Sequence, residues 1–224
     1  MTTLVDQRNQ SAAAKIATLL SSSLWAVFLA FLLWRLFGIA AKYASGKFPT
    51  NFGDSILVNQ LWFVVHMVGG TLVLILGPLQ FISPIRDRFR RYHRIAGTVY
   101  LIASLVSIAA LFINILPASE CPSCRPSNYI VTTLWFLSVL AAWLSIRVHD
   151  VATHRAFMMR GFVFAAYFLL VRTYGDAIMP YLPGEPFDSG QWANSDWLTW
   201  VLPLMLLEIY LFIEHYVRVR SISD

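Results

Sequence analysis

Residues 86–97 read Arg-Asp-Arg-Phe-Arg-Arg-Tyr-His-Arg-Ile-Ala-Gly, five arginines and one histidine in twelve positions. The flanking chain is apolar over residues 57–81 on one side and 95–116 on the other. Lys and Arg next to a membrane span stay on the cytoplasmic side, so a basic cluster between two such runs marks a short cytoplasmic turn joining two membrane helices. A His-Arg pair opening an apolar run returns at His154-Arg155, which makes the pattern a weak internal repeat of two hairpins.

From this turn the rest of the chain can be counted outward. A hydrocarbon core about 30 Å thick needs roughly 20 apolar residues in a helix. Six runs qualify, at residues 19–41, 57–81, 95–116, 129–146, 156–179 and 197–216. Prolines mark their ends: Pro78 and Pro84 by the second, Pro117 after the third, and Pro180, Pro183 and Pro186 after the fifth. The chain is 58% hydrophobic and 13% charged, with mean hydropathy +0.62, which lies outside the range of soluble domains. Its net charge of +5 sits at the ends of the apolar runs, so it orients the chain in lipid and does not point to nucleic acid.

The expected fold is therefore all-α: a polytopic membrane protein of six transmembrane helices in a single domain, 1–224. Residues 1–18 form a cytoplasmic tail that lacks the pattern of a cleaved signal, so the first run reads as an uncleaved anchor. Residues 57–179 form a four-helix core of two hairpins, and 180–196 an outer loop. Twelve Lys and Arg fall on the side of Arg8, Lys15, Arg86–Arg94, Arg147, Arg155, Arg160, Arg218 and Arg220, which places both termini in the cytoplasm and the protein in the inner membrane.

Polar residues at membrane depth are expensive in lipid and mark candidate sites. His66 falls roughly 14 Å into the second helix at 1.5 Å per residue, and Glu208 comes to a similar depth in the sixth. The two are expected to pair, either as a satisfied interior contact or as a place where a proton is handled. Arg35, Asn59, Gln60, Asn114, Arg172 and Asp176 reach comparable outer depths, where they suggest a pocket opening outward for an anionic or carbonyl-bearing ligand; ordinary interhelical hydrogen bonding accounts for each singly. Gly69, Gly70, Gly77 and Gly97 leave room for a close helix or a flat ligand, and packing alone accounts for them.

At the cytoplasmic level lie His93, His149 and His154. Imidazoles on two helices at one depth are what a bis-histidine haem requires, with His93 and His154 as iron ligands and Arg94 and Arg155 beside the propionates. Interfacial His next to Arg is equally a feature of basic turns. Cys121 and Cys124 close a C-P-S-C stretch on the outer side. They are either a small structural disulfide or a redox pair; the prolines around them argue against the helix N-terminus that a reactive thiol needs. No phosphate loop, nucleophile elbow or zinc-protease motif is present.

The pieces HMVGG (66–70), LILGPLQF (74–81), RYHRIAGTVY (91–100), HRAFMMR (154–160) and Arg172 resemble, in order, the bacterial membrane proteins of domain-of-unknown-function family 2306. The resemblance covers helices two to five. It implies a membrane fold and supplies no activity, and the Cys-Pro-Ser-Cys loop is not part of its pattern. In layout the core is distantly similar to four-helix membrane b-type cytochromes, an analogy of fold alone. The expected function is a redox or electron-transfer role with one b-type haem or a quinone bound among helices two to five. The alternative is a non-redox membrane transporter, or an assembly factor with a membrane protein partner.

Overall fold

The computed structural model describes residues 23, 26–41, 56–117, 121–175 and 189–223. Two compact units divide the chain, 1–47 and 48–224. In the first, α1 (Ala26–Ala41) is an apolar helix that carries Arg35. In the second, α2 (Ile56–Phe81), α3 (Ser83–Arg88) and α4 (Arg90–Ala110) come first, and a π-helical turn, Leu111–Ile115, extends α4. A 3₁₀ turn, Pro122–Cys124, then leads directly into α5 (Arg125–Arg147), followed by α6 (Val151–Thr173) and α7 (Ser189–Ser223). No strand occurs among the described residues. Among the described residues five stretches are long and apolar enough to cross a membrane: Gln60–Phe81, Arg90–Ile115, Pro122–Arg147, Val151–Thr173 and Ala193–Val217.

α2 packs on α4 and α5 on α6, giving the two expected hairpins; α4 also touches α5 and α2 touches α6. The four helices thus close a ring in which α4 and α6 stand on a diagonal. α7 lies outside the ring against α6 and α5. The centre is filled by Val73, Tyr100, Ile108, Leu111, Val131, Trp135, Val139 and Tyr167. Leu61, Val68, Ile102, Leu137, Leu206 and Phe212 are exposed, as side chains turned toward lipid should be. Because lipid is as apolar as these side chains, association rests on close packing rather than on removal of water. Gly69 shows this directly: a Cβ there would lie 2.3 Å from Ser107 Oγ and 3.0 Å from the Ala103 carbonyl oxygen, so α2 and α4 approach across a missing side chain.

The helix starts differ from those read in the sequence, and for one reason. Charged and polar residues occupy the first turns of three helices, and apolar runs do not include them. α4 begins at Arg90, so His93 and Arg94 belong to its first turns. α6 begins at Val151, which brings Arg155 out of the turn and into the helix and sets Arg160 five residues deeper than the apolar run alone would put it. α7 begins at Ser189, so residues 189–196 of the expected outer loop are its first two turns; 180–188 lie outside the described residues.

The turn between α5 and α6 is tight. His149 N–H donates to the Ile146 carbonyl (3.2 Å) and Asp150 N–H to that of Ser145 (3.0 Å), the paired bonds of a Schellman cap. His149 holds the left-handed position such a cap requires, at φ 62°. Asp150 then caps α6, accepting from Thr153 N–H at 3.0 Å. Hydrogen bonds from Thr153 hold the Asp150 carboxyl below the usual carboxylate range. His149, one of three histidines expected at a common level, is thereby accounted for as a turn residue.

Candidate functional site

Polar side chains gather at both ends of the ring. At the basic end, where Arg86–Arg94 and Arg147 lie, His93 is the fourth residue of α4 and His154 the fourth of α6. Equal offsets from two helix starts put the imidazoles at one level on diagonal helices, and each lies within electrostatic reach of the other. His154 Nδ1 is 2.8 Å from the Ala142 carbonyl oxygen, which accepts only, so Nδ1 carries the hydrogen and Nε2 has the lone pair. His93 Nδ1 is buried with no hydrogen-bond partner. Beneath this level Gln80 is buried, 3.2 Å from where a Cβ on Gly97 would stand. Outside the span, a hydrogen bond from Arg86 at 2.9 Å holds the Asp87 carboxyl below its usual range.

The arginines divide. Arg155 is committed to α7, with Nη1 donating to both Glu214 oxygens at 2.8 and 2.7 Å and Nη2 to Tyr210 Oη at 3.2 Å. Arg94 is exposed at the surface. Arg160 stands nine residues beyond Val151, so it lies about 14 Å into the span and not in a loop. There it grips Glu208 with two parallel bonds, Nε to Oε1 at 2.6 Å and Nη2 to Oε2 at 2.8 Å.

That ion pair corrects the expected partnership of Glu208 with His66. α7 packs on α6 and α5 rather than on α2, so the cation within reach of Glu208 is Arg160. His66 instead joins α2 to α4: its Nδ1 is 3.4 Å from the Ser107 carbonyl oxygen, and Ser107 Oγ donates back to the His66 carbonyl at 3.3 Å. Phe168 of α6 meets the imidazole edge-on, with ring centroids 5.5 Å apart.

The opposite end carries the Cys121–Cys124 disulfide. Here the helix that the prolines seemed to forbid is present. Pro122 opens the 3₁₀ turn and Pro126 stands at the start of α5, positions where a missing N–H costs nothing. Cys124 is buried and Cys121 partly exposed. Gln60, Asn114 and Arg172 also lie toward this end, Asn114 within the π turn, and Arg172 is in electrostatic reach of both His66 and Tyr167. Arg35 belongs to the other unit, and the side chain of Asn59 and residue Asp176 lie outside the described residues.

A cluster that the sequence did not single out lies beside the disulfide. Asp196, which reads as an outer-loop acid, is buried on α7. It meets Tyr167 Oη of α6, Asn128 Nδ2 of α5 at 3.3 Å, and Ser127. Trp200 Nε1 donates to Ser127 Oγ at 2.9 Å, and Tyr167 Oη is also 2.9 Å from Asn128 Oδ1. The available signal was spacing: Asp196 and Trp200 are four apart, as two residues on one helix face are. It was hidden by starting the helix at Trp197.

Among the described residues no three His, Cys, Asp or Glu are gathered as a metal-binding group. At the basic end His149 lies in the turn and His215 near the end of α7, so His93 and His154 are the imidazoles carried there by helices of the ring. The model of the family described as Predicted membrane protein (DUF2306) matches residues 63–211, and the chain belongs to that family. No curated protein and no solved structure matches it.

Proposed function

We propose that this member of the family is an electron carrier of the inner membrane that holds one b-type haem between His93 and His154, with the basic end and both termini in the cytoplasm. The observation that carries the reading is the placement of two imidazoles at one level on diagonal helices, one of them oriented by a backbone carbonyl. A second-shell bond of this kind fixes the ring and raises the basicity of the other nitrogen, which suits Nε2 of His154 to iron. The unpartnered Nδ1 of His93 marks an imidazole whose bonding the packing has not used up. A bound haem would supply a one-electron couple; His93 and His154 would hold it, and Arg94, exposed on the same turn of α4 as His93, would be the cation available to a propionate. Arg155, occupied by Glu214 and Tyr210, holds α6 against α7 and so positions His154. A quinone, as the redox partner, suits the disulfide end, where Arg172 lies in electrostatic reach of His66, itself packed edge-on by Phe168.

The test is an absorption spectrum of the full chain purified after expression with ample haem. A Soret band is expected in the wild type and in His149→Ala, and its loss in His93→Ala and His154→Ala. A wild-type protein without the band overturns the haem reading. The alternative, a transporter or an assembly factor for a larger complex, is favoured by the Arg160–Glu208 pair deep in the span. It predicts uptake, or a co-purifying membrane protein, that is lost in Glu208→Gln.

A further inference from the structure

The cluster around Asp196 permits a count of hydrogens. Asn128 Nδ2 lies 2.9 Å from the Cys124 carbonyl oxygen, an atom that can only accept. The amide orientation is therefore fixed, and the atom it presents to Tyr167, 2.9 Å away, is its oxygen. That oxygen can only accept as well. Tyr167 Oη thus stands between two oxygens, Asn128 Oδ1 and Asp196 Oδ1, and has one hydrogen to give.

If Asp196 were a carboxylate, one of those two contacts would hold two oxygens together with no hydrogen between them. In a buried site such an arrangement is costly, because the unsatisfied group has no water to turn to. If Asp196 is a carboxylic acid, every contact closes. Asp196 Oδ1–H donates to Tyr167 Oη, Tyr167 Oη–H donates to Asn128 Oδ1, and Asn128 Nδ2–H donates to Asp196 Oδ2 at 3.3 Å. Ser127 fits the same scheme: it accepts from Trp200 Nε1 at 2.9 Å and keeps its own hydrogen for Asp196.

The surroundings agree. Arg125 of α5 and Arg172 of α6 are the described cations of this end; both are exposed while Asp196 is buried, and Arg172, which is in electrostatic reach of Tyr167, is not among the groups that touch the Asp196 carboxyl. The groups that touch the carboxyl are neutral: Tyr167 from α6, and Asn128 and Ser127 from α5. The neighbouring turn holds the Cys121–Cys124 disulfide, which is neutral too.

We propose that Asp196 is a proton-binding site: a carboxylic acid held between α5, α6 and α7, whose hydrogen bond to Tyr167 is continued by that of Tyr167 to Asn128. Its ligand is a proton, and the equilibrium is that of a carboxylate plus H⁺ with the acid. Release of that proton turns the Tyr167 hydrogen from Asn128 to Asp196, so it breaks the α5–α6 contact as it remakes the α6–α7 one. The site is separate from the imidazole pair at the other end of the ring.

Infrared spectroscopy of the full chain in lipid vesicles at neutral pH, labelled with [4-¹³C]aspartate, reads the protonation state directly. Expected is an isotope-shifted C=O band of a protonated carboxyl, lost in Asp196→Asn and moved to higher frequency in Tyr167→Phe, where the acid loses its acceptor. A Tyr167→Phe spectrum that changes only in the carboxylate stretching bands, or a wild type without the protonated band, overturns the proposal. Tyr167→Phe carries the test even where Asp196→Asn fails to fold, because it removes only one hydroxyl.

Discussion

Gly69 and Gly70 are neighbours in one helix, and their replacement by alanine should change stability in opposite directions. Nothing lies within 4 Å of a Cβ on Gly70. Removing glycine from a helix interior there is favourable, by up to roughly 1 kcal/mol. At Gly69 the same Cβ would lie 2.3 Å from Ser107 Oγ. Ser107 is too short to withdraw, and rotating its hydroxyl surrenders the bond to the His66 carbonyl, about 1 kcal/mol. The Ala103 carbonyl, at 3.0 Å, is backbone and gives way only if α2 and α4 separate. Overpacking of this kind costs roughly 1–3 kcal/mol, so after the helix gain Gly69→Ala should be destabilising by about 1–2 kcal/mol. Ser107→Ala removes the oxygen and leaves a Cβ contact at an ordinary 3.5 Å. The double variant Gly69→Ala/Ser107→Ala should then be more stable than the sum of the singles, with a coupling of about 1 kcal/mol. Equilibrium unfolding of the full chain in bicelles by steric trapping measures the wild type and all four variants. Equal signs at the two glycines, or strict additivity at 69 and 107, would refute the account of how α2 meets α4.

Gly77→Ala should lower the yield of folded protein, because its Cβ would lie 2.4 and 2.6 Å from two ring atoms of Phe162; detergent-resistant monodispersity after purification reports it. His149→Gly should be neutral or stabilising, by up to roughly 1 kcal/mol, since only glycine holds a positive φ without strain; the same unfolding assay decides the sign. For Arg160 and Glu208, either single change to glutamine strands an ion within the span, whereas the double change strands none. Membrane abundance should therefore fall in each single variant and recover in the double. For Asp150 the folded carboxyl lies below its unfolded value, so its cap stabilises fully above about pH 4 and is lost as pH falls through the folded value. Asp150→Asn keeps the cap without that acid dependence, as thermal melts between acid and neutral pH would show.

The helices were legible in the sequence because length and hydropathy dictate them in lipid, and every described span overlaps an apolar run. Their first turns were not. Arg90 to Arg94, Val151 to Arg155 and Ser189 to Asp196 mix polar and charged residues into the first turns, and a helix that begins beyond the hydrocarbon has no reason to begin as an apolar run. That shift of a few residues decided what was seen of the site. It leaves Asp196 outside the membrane, and it sets Arg160 near the cytoplasmic end of its helix, where it counts toward orientation, when it pairs with Glu208 in the span. The level shared by His93 and His154 was readable, because each histidine follows its helix start by the same number of residues. Partner choice across helices was not readable: the order of helices around the ring is set by packing, and it was α7 lying on α6 that took Glu208 away from His66.

The polar contacts inside the bundle share one property, and His93 departs from it. His66 with Ser107 joins α2 to α4, Tyr167 with Asn128 and His154 with Ala142 join α6 to α5, and the two Arg-Glu pairs join α6 to α7. Each links helices that already pack together, so each is explained by the need to satisfy polar groups away from water. His93 and His154 stand on helices of the diagonal, where packing offers no reason for polar groups to meet. His66 and His154 each have Nδ1 tied to a carbonyl, and His93 does not. His93 Nδ1 shares its lack of a hydrogen-bond partner with other buried atoms of the bundle, Thr132 Oγ1 and Trp135 Nε1 among them, so the spectra of the His93 and His154 variants, and not the missing bond, decide whether a ligand joins the two imidazoles.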